Sequence, residues 1–142
     1  MKPIVKIALF VVIIIALGGI FAALYLYNLK PRDLQKAKPH FSISADDFQK
    51  AFNENEKAAS TRYINKIIDV SGTIASVQSG EKNTFNVALK TGNELSSIIC
   101  TFHSIKDTTI LRPGNQIIIR GVCSGFLMDV LLNNCVVVKT GK

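Results

Sequence analysis

The side chains with the most reactive chemistry in this 142-residue chain are three cysteines, Cys100, Cys123 and Cys135, and two histidines, His40 and His103. A structural zinc needs four such ligands, commonly with a Cys-x-x-Cys pair. No two of these cysteines have that spacing, and the histidines do not complete a finger-like pattern with them. No metal or cofactor is therefore expected, and phosphate-binding glycine patterns are also absent. His103 adjoins Ser104 and shortly precedes Asp107, residue types that can form a hydrolytic triad, but no glycine-rich elbow presents the serine. These residues are expected to be solvated loop polarity, and the chain is expected not to be an enzyme. An odd number of cysteines leaves at least one unpaired in a monomer.

The elements around these residues differ along the chain. Ile7 to Leu26 is an uncharged run, Ile-Ala-Leu-Phe-Val-Val-Ile-Ile-Ile-Ala-Leu-Gly-Gly-Ile-Phe-Ala-Ala-Leu-Tyr-Leu. As a helix it spans ~30 Å, the thickness of a bilayer core. Tyr25 and Tyr27 fall at one end, where aromatic rings favour headgroup level, and Lys2 and Lys6 flank the other. A cleaved secretion signal has a shorter apolar core of ~7–15 residues and a small-residue cleavage site after it. The nearest candidate, Ala16-Leu17-Gly18, lies in the middle of the run. An uncleaved membrane anchor over residues 1–27 is expected.

Residues 28–43 read as a basic juxtamembrane linker with Pro31 and Pro39. The net charge of +7 is concentrated there and beside the anchor: Lys2, Lys6, Lys30, Arg32, Lys36 and Lys38 face only Asp33, whereas residues 41–142 carry 11 basic and 9 acidic side chains. Basic residues in that position can meet anionic lipid headgroups. A nearly neutral domain is a poor match for nucleic acid.

Residues 44–142 read as a helix followed by five strands. Ser44-Ala45-Asp46-Asp47 resembles a capping box, with acids in the first turn where the helix dipole favours them. Phe48, Ala51, Phe52 and Ala59 form one apolar face, Asp46 and Lys50 are an i,i+4 pair, and the helix is expected to end near Tyr63. The first strand, Lys66 to Val77, alternates Ile68, Val70, Gly72 and Ile74 with polar residues, and Gly72 marks a bend. Phe85, Val87 and Leu89 face inward in the second strand, and Ile98, Cys100 and Phe102 in the third. Gln116 to Cys123 is the fourth strand and Asp129 to Thr140 the fifth, whose inward face is ambiguous because Asn133 and Asn134 interrupt both periods. Five short strands with a bent first member match a mainly β fold, the five-stranded Greek-key OB barrel, here preceded by an amphipathic helix and a transmembrane helix.

Within that barrel the third and fifth strands are neighbours, so Cys100 and Cys135 are a candidate disulfide. A plain hairpin through residues 124–128 would place Cys123 opposite Val130, too far from Cys135 to bridge. The outer faces of the second and third strands show Thr84, Asn86, Ala88, Lys90, Ser97, Ile99 and Thr101, without the aromatic platforms that bind single-stranded nucleic acid. Phe126, Leu127 and Met128 occupy the loop between the fourth and fifth strands, where a polar turn is usual. They either fold over the barrel end or present a candidate partner contact.

Phe52-Asn-Glu-Asn-Glu-Lys-Ala58, Tyr63-Ile-Asn-Lys66, Val70-Ser-Gly-Thr-Ile74, Gly121-x-Cys-x-Gly125 and Asp129-Val-x-Leu-x-Asn-Cys135 together resemble the bacterial tRNA_anti-like family of OB-fold proteins. That resemblance implies a lipoprotein signal or membrane anchor before the barrel and a place in the cell envelope. This chain lacks the lipid-acceptor cysteine of the lipoprotein version. The expectation is a single-pass protein of the inner membrane, anchored by residues 7–26, with a periplasmic module that binds a protein or envelope ligand. The alternative is a nucleic-acid-binding domain at the cytoplasmic face. A bare count of flanking charges, with Lys30, Arg32, Lys36 and Lys38 after the helix, favours that second orientation, and the resemblance favours the first.

Overall fold

The structure, a computed structural model, describes residues 2–28 and 33–141; Lys30, Pro31 and Arg32 of the expected linker lie outside the described residues. The chain divides into two units, Met1–Arg32 and Asp33–Lys142. The first unit is one helix, α1 (Pro3–Tyr27), opened by a proline where no intrahelical hydrogen bond is lost. It is apolar on all sides with no residue buried in protein, and it is long enough to cross a membrane.

The second unit contains β1 (Phe41–Ser44), α2 (Ala45–Glu54), α3 (Glu56–Tyr63), β2 (Ile67–Ser79), β3 (Thr84–Leu89), β4 (Ile98–His103), β5 (Gln116–Leu127) and β6 (Asp129–Thr140). Neighbouring strands run in the order β2-β3-β4-β6-β5, and β5 pairs back onto β2 to close a five-stranded barrel. All its pairings are antiparallel except β4 with β6. This is the expected OB barrel, with the first predicted strand realised as β2.

β2 is long because it serves different partners along its length. Ile68 to Ser71 pair with β1 in parallel, and Ile74 to Ser79 pair with β3. Gly72 falls at the change of partner. A β-carbon there would lie 3.0 Å from Ala45 Cβ at the start of α2, so glycine lets the helix approach the strand. β1 itself is an element that periodicity did not single out. It is only 4 residues long, and half-buried Phe41 and Ile43 alternate with serines.

The inward faces follow the alternation. Ile68, Val70, Ile74, Val87, Leu89, Ile98, Cys100 and Phe102 are buried in one core with Ile117, Ile119 and Cys123. The fifth predicted strand, β6, buries Val130 and Leu132 and then Cys135. Asn134 has φ 54°, and the pairing slips between Arg120–Val136 and Val122–Asn133. This bulge moves the inward set from even to odd positions, which is why a period of two could not assign it.

One helix was expected over residues 44–63, and two are present. Ser44 caps α2 by accepting from the Asp47 N–H (3.1 Å), as its spacing implied. Asn55, with φ −156°, ends α2 and caps α3 by accepting from the Ala58 N–H, the competition with helical backbone at which asparagine excels. The ion pair on α2 is Lys50 with Glu54 (3.8 Å) rather than Asp46 with Lys50. Phe48, Phe52 and Tyr63 close one end of the barrel, their rings meeting edge-on at 5.6 Å and 5.2 Å around Phe48.

Candidate functional site

β5 does not stop at Cys123. It continues to Leu127, and the reversal onto β6 happens at Met128 alone, with φ 67° and Leu127 opposite Asp129. The expected loop over residues 124–128 is therefore a corrected feature: Gly125 lies within the strand, not at the turn. Cys123 consequently pairs with Leu132 rather than Val130.

This hairpin tip is held from both sides. Gln49 Nε2 on α2 donates to the Met128 carbonyl at 3.0 Å. Asp129 Oδ1 accepts from the Ser97 backbone N–H at 2.7 Å and from its hydroxyl at 3.2 Å. Phe126 stacks on Phe52 with ring centroids 5.2 Å apart, the fold-back expected of one residue in this segment. Leu127 and Met128 instead point outward, 78% and 71% exposed. Leu95 joins them, 83% exposed, from the β3–β4 connection. The strand pattern does not single out Leu95; its signal is one large apolar residue between Thr91-Gly-Asn-Glu94 and Ser96-Ser97.

Together these residues border a cleft of about 780 Å³ whose other wall carries Asn53, Glu56, Asn93 and Ser96. The Ser96 hydroxyl is buried without a hydrogen-bond partner among the described residues. The cleft offers apolar contact with amide, hydroxyl and carboxylate groups at its margin.

The outer face of β3 and β4 is polar and aliphatic, as expected. Asn86 sits opposite Thr101 and Ala88 opposite Ile99, and the Thr101 hydroxyl donates to Asn86 Oδ1 at 2.9 Å. His103 is exposed at the end of β4. Asp107 is engaged by Thr109, whose backbone N–H and hydroxyl both donate to it and hold its carboxyl below the usual range. The structure thus gives Asp107 a capping role in a short turn, Thr108–Ile110.

The thiols of Cys100 and Cys135, the pair suggested for a disulfide, lie side by side in the core, and all three cysteines are free. Burial, with the neighbouring Cys100 thiol adding to it, pushes the Cys135 thiol well up, and burial pushes Cys123 up to about 11. Neither is a ready nucleophile.

No curated protein matches the chain. Among solved structures, a candidate nucleic acid-binding lipoprotein from Klebsiella pneumoniae superposes with a TM-score of 0.56 at 24% identity, over 68% of this chain and 91% of that one. Weaker likenesses are to the S. pombe Stn1-ten1 complex (TM-score 0.39, 17% identity, 51% of this chain and 58% of that one) and to a candidate aspartyl-tRNA synthetase from Leishmania major (0.45, 7%, 80% and 22%). The first shares the barrel fold. The sequence pattern of the tRNA_anti-like family matches residues 1–137, the apolar helix and nearly all of the barrel, and the chain belongs to that family.

Proposed function

We propose that this protein is a single-pass, membrane-anchored binding module of the bacterial envelope, and that its barrel engages a protein or envelope ligand through the β5–β6 tip. The observation that carries this reading is the outward display of Leu127 and Met128, joined by Leu95, on a hairpin pinned by Gln49 and Ser97. Exposed apolar side chains gathered into one patch often mark a contact site. Binding fits a site whose main feature is apolar side chains displayed at a hairpin tip. α1 supplies the anchor, and the lipoprotein description of the Klebsiella protein supports a place in the envelope.

Cross-linking the full chain in cells tests this. The unaltered protein should capture discrete neighbours, and the double variant Leu127→Ser, Met128→Ser should lose them while remaining folded and in the membrane. Retention of the same neighbours by the folded variant would remove the tip as the contact. The side of the membrane is read by introducing Glu81→Cys at an exposed loop and labelling with an impermeant thiol reagent. Labelling of intact cells supports the periplasmic placement, and labelling only after lysis refutes it.

A second reading, nucleic-acid binding at the cytoplasmic face, draws on the description of the Klebsiella protein as nucleic acid-binding. The outer face of β3 and β4 offers Asn86, Thr101, Ala88 and Ile99 and no aromatic platform. Salt-sensitive, micromolar binding of a single-stranded oligonucleotide to the protein would favour this reading over the first.

A further inference from the structure

The fold brings two basic segments, far apart in sequence, onto one surface. His40 continues the parallel register of β1 by one residue: its N–H donates to the Ile67 carbonyl at 2.7 Å, and the Ile67 N–H donates to His40 Nδ1 at 3.2 Å. Lys38 lies two residues before His40, and Asn65 and Lys66 directly precede Ile67. Lys66 is fixed at the barrel end, where its carbonyl accepts from the Cys123 N–H at 3.1 Å. Arg62 lies over the Phe41 ring at 5.2 Å and over Tyr63 at 5.4 Å. Lys36, Lys38, His40, Arg62 and Lys66 are all exposed.

Asp33, three residues before Lys36, and Asp69, three after Lys66, are the carboxylates nearest to them along the chain. Residues 34–45, residues 57–68 and the adjacent β5 stretch 121–128 contain no acid. Asp69, next along β2, is already bonded to Arg120 through both its oxygens at 2.6 Å and 2.8 Å.

We propose that this face docks on the anionic phospholipid headgroups of the membrane that holds the chain. It is a surface separate from the β5–β6 tip and does not depend on the reading given for that tip. Four permanent cations and a histidine gathered on one face suit a layer of negative headgroups. Single-stranded nucleic acid would supply phosphates too, but sites for it typically add rings on which bases stack. Phe41, the aromatic at this surface, is half-buried and covered by the Arg62 guanidinium. The apolar α1 in the same chain keeps the effective concentration of headgroups high, so weak individual contacts suffice.

Lysine footprinting tests the proposal on the full chain in lipid nanodiscs. The discs contain either phosphatidylcholine alone or phosphatidylcholine mixed with phosphatidylglycerol. Lys36, Lys38 and Lys66 should react more slowly with an amine-specific reagent in the phosphatidylglycerol discs, with Lys82 and Lys90 as internal references. High salt should remove the protection. The double variant Arg62→Gln, Lys66→Gln should weaken protection of Lys36 and Lys38, by about fivefold in the underlying affinity for each cation removed. Both positions are exposed, and a single Lys66→Gln change, free of the ring contact, checks the result independently of packing. Equal reactivity in the two kinds of disc would overturn the proposal. So would protection of these lysines by an oligonucleotide in discs of either kind, with no response to phosphatidylglycerol.

Discussion

The Cys135 sulfur occupies the space in which any residue but glycine at position 121 would carry its β-carbon, which would come 2.7 Å from it. The bulge at Asn134 delivers Cys135 to this spot, and the missing side chain at Gly121 receives it. Gly121→Ala should destabilise the domain by about 1–3 kcal/mol through overpacking. Adding Cys135→Ala should recover part of that loss. Recovery will be incomplete because Leu132 Cβ and the Asn133 carbonyl also stand at 3.2 Å and 3.3 Å. Denaturant unfolding of the two single variants and the double variant measures the coupling.

Arg120 joins three parts of the unit. It binds Asp69 and also donates from Nη1 to the carbonyls of Ala37 at 2.6 Å and Leu34 at 3.3 Å. Arg120→Gln should cost about 2–4 kcal/mol, because Asp69 would be left largely buried beside an uncharged partner. Asp69→Asn with Arg120→Gln should cost less than the sum of the two single changes in thermal unfolding.

The three residues at the hairpin tip should behave differently in a melting experiment. Phe126→Ala removes the ring stacked on Phe52 and should cost about 2 kcal/mol, below the cost at a fully buried site. Leu127→Ser with Met128→Ser touches exposed side chains and should stay within about 0.5 kcal/mol. A large loss from the serine pair would show that these residues pack in solution, and the tip would then be structural.

Gly72→Val should cost more than about 1 kcal/mol, since its side chain would press on Ala45 and Leu89. An unchanged melting temperature would mean that α2 can move away from β2 freely.

Alkaline pH should loosen the domain. An ordinary thiol ionises near pH 8.5. Burial raises Cys123 to about 11 and lifts Cys135 well above its ordinary value, with Cys100 contributing. Their neutral forms favour the folded state, so this contribution is complete at neutral pH and is lost as pH rises from about 8.5 through the folded values. The melting temperature should fall across that range, and Cys123→Ala should flatten the slope relative to the parent. Native alkylation of all three thiols should be slow until denaturant is added.

The barrel was legible because its strands alternate: Ile68, Val70 and Ile74, Val87 and Leu89, and Ile98, Cys100 and Phe102 each keep one phase. β6 was not, because the bulge at Asn134 changes phase within the strand. The split between α2 and α3 depends on one asparagine whose helical and capping roles cannot be weighed without its neighbours. At the tip, three consecutive apolar residues announced a special segment. That one would stack inward and two outward depends on the reversal at Met128, a backbone conformation that sequence pattern does not encode. Leu95 and the Arg120–Asp69 pair belong to surfaces assembled from distant segments, which periodicity along one strand cannot reveal.

The way the chain enters the barrel also sets how the domain would respond to a pull. Tension applied ahead of Asp33 reaches the carbonyls of Leu34 and Ala37, gripped by Arg120, and then β1. Because β1 lies parallel to β2, such a force runs along their ladder and loads its hydrogen bonds together in shear, instead of peeling them one after another. Under a pull along the strand axis, the entry of the chain therefore acts as a mechanical fastening at the edge of the barrel.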